Sequence, residues 1–316
     1  MITPRRFFAE SQYRFLRRLA SQRYLAILEK AARFRAMAPL LPTSTALGVK
    51  WRDWCSRRRL TALKEAGQPK VSVIIPAFNA SMTIEKCLLS LQAQTYPYWR
   101  ALVVDDASTD ETAAIIARVA ASDERIELIR NETRRGVAYS RNRGLAQAAT
   151  EYATFLDADD TSLPERLEKQ LSCLVAKPNL VFSTCRYVRI DEESSPVFVN
   201  GELDRKLLIS MLFRRGSILQ RVGFFRDLLI GEDSEYFTRI CAAFGNDSEA
   251  HIPEVLYLAG FSPTSLMFSG TEVEFVAPNH IRHVPSEGAR QQLEAAIENI
   301  ETLRIQGNSL FLERWE

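Results

Sequence analysis

The stretch TFLDADDTSLPERL, residues 154–167, places Asp157, Asp159 and Asp160 within four positions, directly after an apolar run. Carboxylates this close repel one another, and their pKa values rise unless a cation compensates. A divalent ion fits such a set when a few carboxylates hold it and pyrophosphate oxygens and water complete its shell. Two further polar clusters end apolar runs, PAFN at 76–79 and DDAS at 105–108. A nucleotide diphosphate is therefore the expected ligand class, with the metal carried alongside it.

The elements around these clusters alternate. VSVII (71–75) is a short β-branched run that Pro76 is expected to halt, and a helical stretch follows at 82–93. ALVV (101–104), a helix over 110–121, RIELI (125–129), a helix from Gly136 through Ala148, and YATFL (152–156) continue the pattern. Strands alternating with helices of ten or more residues predict βαβ units and a mostly parallel sheet covered on both faces. In open α/β sheets ligands sit beyond the carboxyl ends of strands, where all three clusters fall. PAFNAS has no glycine, so the GxGxxG turn of a dinucleotide site is absent, and so is a P-loop.

A chain of 316 residues, 46% hydrophobic and 25% charged, has an ordinary globular composition with room for a sizeable core. Five scattered cysteines form no CxxC pair, which argues against a disulfide framework or zinc site and fits a reducing compartment. His280 and His283 are the sole close histidine pair and have no Cys or further His nearby, which argues against a metal role. The net charge of +2 conceals a split: residues 1–70 carry sixteen basic against four acidic side chains, the remainder twenty-five against thirty-five. Leu16, Leu19, Tyr24, Ile27, Leu28, Ala31 and Phe34 recur at helical spacing with arginines and lysine between them, and WRDWCSRRRL (51–60) adds a second basic, Trp-bearing piece. Such an arm suits anionic lipid headgroups; packing on its own body or on a partner is the equal alternative. Nucleic acid is not expected, because no recognition motif accompanies the charge. Charges interrupt every apolar run before the length of a membrane span, and arginines stand where a secretory signal needs an apolar stretch.

VSVIIPAFNASMTIEKCLLSLQAQTYPYWRALVVDDASTDET (71–112), followed by RRGVAYSRNRGLAQAATEYATFLDADDTSLPERL (134–167), resembles glycosyltransferase family 2, the inverting sugar transferases of the GT-A fold. By that resemblance Pro76, Phe78 and Asp106 embrace the nucleotide base and ribose, and Arg141 lies near the diphosphate or donor sugar. Asp157 and Asp159 form the DxD signature. Asp159 is then the ligand of Mn²⁺ or Mg²⁺, and Asp157 contacts ribose or joins the metal's shell. Asp160 orients the loop or caps the helix beginning near Pro164. GEDSEYFTRI (231–240) resembles the acidic motif of an acceptor-side helix, which makes Asp233 the base and Glu232 the second choice. A carboxylate at a helix start also serves simply as a dipole partner. EVLYLAGFSPTSLM (254–267) resembles the segment that closes the catalytic domain, but Ala259-Gly260-Phe261 stands where many members carry a basic residue.

The expected architecture is α/β: a basic helical arm (1–69), a GT-A domain (70–268, with a nucleotide-sugar half to 185 and an acceptor half from 186), and a helical C-terminal extension (269–316). Leu293, Ile297, Ile300 and Leu303 give that extension one apolar stripe with Gly307 as its cap, for docking on the parent domain or, alternatively, for a homodimer. The resemblance implies an enzyme that moves a sugar from a nucleotide-diphosphate donor, UDP-linked by expectation, to a glycan or lipid-linked acceptor in bacterial cell-surface polysaccharide assembly. Its expected location is cytoplasmic, peripheral to the inner face of the membrane. Two alternatives stand beside it. One is a catalytically silent GT-A scaffold. The other is a phosphatase using FLDADDT as a DxDxT nucleophile motif, which leaves PAFN and VVDDAS without a task.

Overall fold

The structure, a computed structural model, describes residues 46–228, 231–261, 272–277, 279–284, 286–306 and 309–312. The expected helices of residues 1–45 and the Gly307 cap lie outside the described residues.

Four parallel strands form the frame: β1 (Val71–Ala77), β2 (Trp99–Asp105), β3 (Ile126–Arg130) and β4 (Tyr152–Phe155), in the order β3-β2-β1-β4. Every residue of β1 and β4 is buried, as expected of strands covered on both faces. The connecting helices are α2 (Ile84–Gln92), α3 (Thr112–Ala120) and α4 (Val137–Gln147). Successive β1 side chains point to opposite faces. Val71, Val73 and Ile75 join Cys87, Leu88, Leu91 and Ile116 of α2 and α3 in one core, while Ile74 joins Ala138 and Leu145 of α4 in the other. At Gly144 a Cβ would lie 2.6 Å from Ile74 Cγ2, so only glycine lets α4 come this close to the sheet.

β1 runs two residues past the predicted stop and takes in Pro76. Ala77 O accepts from Asp106 N on the β2 side, whereas Ile74 O accepts from Leu156 N on the β4 side. Strand alternation therefore turns the missing Pro76 N–H toward β4, whose ladder with β1 has ended at Ile74–Phe155.

Beyond β4 the sheet turns mixed. β8 (Asp204–Arg214) pairs antiparallel with β4 and with β6 (Phe182–Ile190), and β6 pairs parallel with β9 (Glu249–Gly260). Helix α5 (Arg166–Ala176) lies on the first face; α6 (Arg215–Arg221) and α7 (Glu232–Phe244) lie on the second. The short β7 (Pro196–Val199) joins β6 to a hairpin of β10 (Glu272–Ala277) and β11 (His280–Val284). The expected helical extension thus opens with strands before its helix, α8 (Glu287–Ile305). EVEF (272–275) and HIR (280–282) alternate polar with apolar, the period of a strand. His280 stacks on Phe198 at 4.4 Å between ring centroids. The predicted stripe of α8 holds: Ile300 is fully buried, and Leu293 packs over Gly231 at the start of α7.

Helix α1 (Ala46–Glu65) packs against α5. Glu168 of α5 is fully buried, and its carboxylate accepts from Ser56 Oγ (2.6 Å), Arg59 Nε (2.6 Å) and Thr95 Oγ1 (2.7 Å). Leu63 is buried in the same core. From Cys55 onward, then, the second basic piece is docked on the body. Among the described residues no helix is long and apolar enough to cross a membrane.

Candidate active site

The carboxyl ends of β1, β2 and β4 lie side by side, so the three polar clusters share one rim of the sheet. Hydrogen bonds lock the first two together: Asn79 N–H donates to Ser108 Oγ (2.9 Å), and Thr109 N–H donates to Asn79 Oδ1 (2.9 Å). Phe78 is half-buried, with the Arg134 guanidinium 4.1 Å above its ring. Asp106, assigned to base and ribose by resemblance, is 4% exposed. Its Oδ1 accepts from Asn131 Nδ2 (2.6 Å) and Arg135 N (2.9 Å), its Oδ2 from Gly136 N (2.7 Å). Here its carboxylate fastens the loop leading into α4. Pro76 is buried within β1.

The acidic loop leaves β4 at Leu156. Asp160 N–H donates to Asp157 O (3.0 Å), which folds 157–160 into a tight turn. Arg141, on α4, is the hub beside it. Only 4% of this residue is exposed; Nη2 donates to Asp157 Oδ1 (2.8 Å) and Nη1 to Glu232 Oε1 (2.5 Å) at the N-terminus of α7. Although burial opposes its charge, Asp157 and Glu232 hold the guanidinium firmly protonated. The neighbouring Asn142 fixes the approach to α7: its Nδ2 donates to Phe225 O (2.9 Å), its Oδ1 accepts from Phe225 N (2.8 Å), and Phe225 stacks on Tyr236. One turn of α4 thereby brings the DxD loop and the acidic helix start together.

Charge accumulates around this bridge. Asp159 sits at the loop tip and reaches solvent, yet the protein crowded around it, ahead of the Asp157 charge, raises its pKa to about 6. Half-buried Asp233 is likewise raised to about 6, by burial first and Glu232 second, with Arg141 opposing. Its Oδ1 accepts the Ser234 N–H (2.7 Å). Of the two roles open to Asp160, orienting the loop is the one observed. It is buried, its oxygens accept from Tyr257 Oη (2.6 Å) and Gly260 N (2.8 Å), and burial with the two neighbouring aspartates raises its pKa well above the ordinary value.

Among the described residues no group of three or more His, Cys, Asp or Glu side chains could hold a metal ion alone. Among the described residues Asp159 and Asp157 would hold a divalent ion, with further ligands from a bound diphosphate and water; Asp159 is exposed at the loop tip, where such an ion could reach it. The roles of Arg141 as a two-sided bridge, and of Tyr257 and Gly260 under the loop, were not predicted. Their partners lie 16 to 100 residues away, beyond any local spacing signal.

Residues 72–226 match the family described as Glycosyl transferase family 2. A UDP-Glc:alpha-D-GlcNAc-diphosphoundecaprenol beta-1,3-glucosyltransferase of Escherichia coli is 39% identical over 124 residues, 39% of this chain and 48% of that protein. A GalNAc(5)-diNAcBac-PP-undecaprenol beta-1,3-glucosyltransferase of Campylobacter jejuni is 38% identical over 122 residues, 37% of this chain and 38% of that protein. The chain spans about half the length, or less, of the curated relatives it matches. In fold it is similar to S. aureus TarS 1–349 solved in complex with UDP-GlcNAc, with a TM-score of 0.53, 22% identity, and coverage of 66% of this chain and 62% of that one.

Proposed function

The chain belongs to glycosyl transferase family 2 through residues 72–226, and on that premise we propose that it moves a sugar from a nucleotide-diphosphate donor to a glycan or lipid-linked acceptor in bacterial cell-surface polysaccharide assembly. One observation carries this reading: a single guanidinium, Arg141, touches both Asp157 of the DxD loop and Glu232 at the head of α7. The carboxylates that the proposal assigns to donor and acceptor are thereby tied to one side chain at the sheet's rim.

Asp233 is the proposed base. It takes the proton of an acceptor hydroxyl as that oxygen bonds to the anomeric carbon, while the bond from that carbon to the nucleotide diphosphate breaks and the configuration inverts. A carboxylate with a pKa near 6 is a stronger base than an ordinary one and still ionised at neutral pH. Asp159 and Asp157 would hold a Mn²⁺ or Mg²⁺ ion, whose charge offsets that building on the departing diphosphate. Arg141 keeps both acidic elements in register and offers positive charge at the same place. Phe78, Pro76 and the Asp106-fastened loop line the rim where a base and ribose, UDP by preference, would lie. The basic N-terminal segment would hold the enzyme against an anionic membrane surface.

A thermal-shift screen of nucleotide sugars with and without Mn²⁺ tests the donor half of the proposal. A shift that requires both ligands is expected for one donor class. No shift with any nucleotide sugar, in protein of verified fold, refutes it.

A further inference from the structure

Beneath the acidic loop lies a set of side chains to which the proposed transfer gives no task. β5 (Thr161–Ser162), directly after the loop, pairs antiparallel with β9, Thr161 opposite Leu258 and Ser162 opposite Tyr257. The Tyr257 hydroxyl accepts the Asp157 N–H (3.2 Å) and donates to Asp160 Oδ2 (2.6 Å). Gly260 N–H donates to Asp160 Oδ1 (2.8 Å). Gly260 also lies so near the loop that a Cβ there would stand 2.7 Å from the Asp159 carbonyl oxygen. The last turn of the acceptor-side strand thus touches Asp157, Asp159 and Asp160.

The tyrosine itself is fixed from behind. Its ring is fully buried, with the Arg166 guanidinium 5.0 Å from its centroid. Arg166 is fully buried too and forms no ion pair among the described residues. Nη2 donates to Thr154 Oγ1, Phe155 O and Ser210 O, Nε donates to Gln170 Oε1, and Nη1 has no hydrogen-bond partner. An unpaired guanidinium is costly to bury. Here it lies over the ring of the tyrosine whose hydroxyl donates to Asp160, which puts positive charge beside the residues that hold the acidic loop.

We propose that Tyr257, with Asp160 and Arg166 behind it, is a positioning residue that presets the spacing of the Asp157 and Asp159 carboxylates for a divalent ion. A hydroxyl that takes an N–H from one side of the turn and gives its own proton to the other fixes the backbone between them. The two carboxylates then lose less conformational freedom on ligation than they would on a free loop. The proposal rests on the nucleotide-sugar reading for the identity of the ion and its diphosphate; the clamp on the loop does not.

The test is Tyr257→Phe in the full chain, which keeps the ring and removes both hydrogen bonds. Amide hydrogen exchange over residues 156–162 is expected to quicken about tenfold or more. The affinity for UDP measured with Mn²⁺ is expected to fall about tenfold, while the affinity for uridine, which has no phosphate to share with the ion, stays the same. Gly260→Ala attacks the same contact with the hydroxyl intact and is expected to lower the Mn²⁺-dependent affinity likewise; it also carries the comparison should Tyr257→Phe not fold. Unchanged exchange over 156–162 together with unchanged Mn²⁺-dependent UDP binding overturns the proposal. If the wild-type protein shows no Mn²⁺-dependent UDP binding, the donor reading falls instead, and the exchange measurement alone decides whether Tyr257 positions the loop.

Discussion

An ionised Asp233 is held in place against its own surroundings. Burial and the Glu232 charge raise its folded-state pKa to about 6 from 3.8, so the folded protein binds this proton more tightly than the unfolded chain does. Stability from this group is therefore greatest at low pH, declines as pH rises between about 4 and 6, and stays reduced above that. Asp233→Asn should remove the penalty while the side-chain oxygen still accepts the Ser234 N–H. The ligand-free variant is expected to be more stable than wild type by ~1–3 kcal/mol at pH 7.5 in denaturant unfolding, with the difference vanishing below about pH 4. Sugar transfer should fall by about a hundredfold or more, as loss of a general base requires, while donor binding persists. A gain in stability with loss of turnover is the signature of a strained functional group. A variant that transfers normally would remove Asp233 from the role of base.

At the scale of elements, the frame was open to reading because its signals are local. The expected strands at 71–75, 101–104, 125–129 and 152–156 and the helices between them all appear, with ends displaced by a few residues, since apolar runs and helical spacing are properties of neighbours along the chain. Pro76 inside β1 departs from this because its effect depends on which strand stands opposite. Among the candidate residues, the DADD cluster stands out by composition and GEDSE by family resemblance, but their meeting on Arg141 is a tertiary fact. Tyr257 carries no local signal within EVLYLAG, because its partner Asp160 lies 97 residues away. Helix α1 is the same kind of case: as sequence it is a basic stretch, yet Arg59 ends on the buried Glu168. Arg59→Ala leaves that carboxylate buried with only Ser56 and Thr95, and should destabilise the fold by ~2–4 kcal/mol. Glu168→Gln added to it should recover part of the loss, because the uncompensated charge is gone. Equal stability of wild type and Arg59→Ala would mean that α1 does not hold to α5 through this pair.

For the whole molecule the governing feature is the charge split, sixteen basic against four acidic side chains in residues 1–70, on a remainder with ten more acidic than basic groups. A uniformly mixed surface would give an anionic bilayer nothing to orient; this one should approach with residues 1–70 foremost and the acidic body turned away. The docked position of α1 determines how this is tested. Deleting the entire basic segment would also strip the Arg59–Glu168 contact and Leu63 from the core, so lost binding could reflect a damaged fold. Deleting residues 1–45 removes nine basic and two acidic side chains and spares α1. Full-length protein is expected to co-sediment with vesicles containing anionic lipid at low salt and to be released as ionic strength rises past about 0.15 M, where screening acts within about 8 Å. The 46–316 protein should keep its melting temperature and bind such vesicles about tenfold or more weakly, and neither protein should bind neutral vesicles. Equal binding by the two would transfer the membrane contact from residues 1–45 to the helix and body that remain, and the orientation argued from the charge split would be wrong.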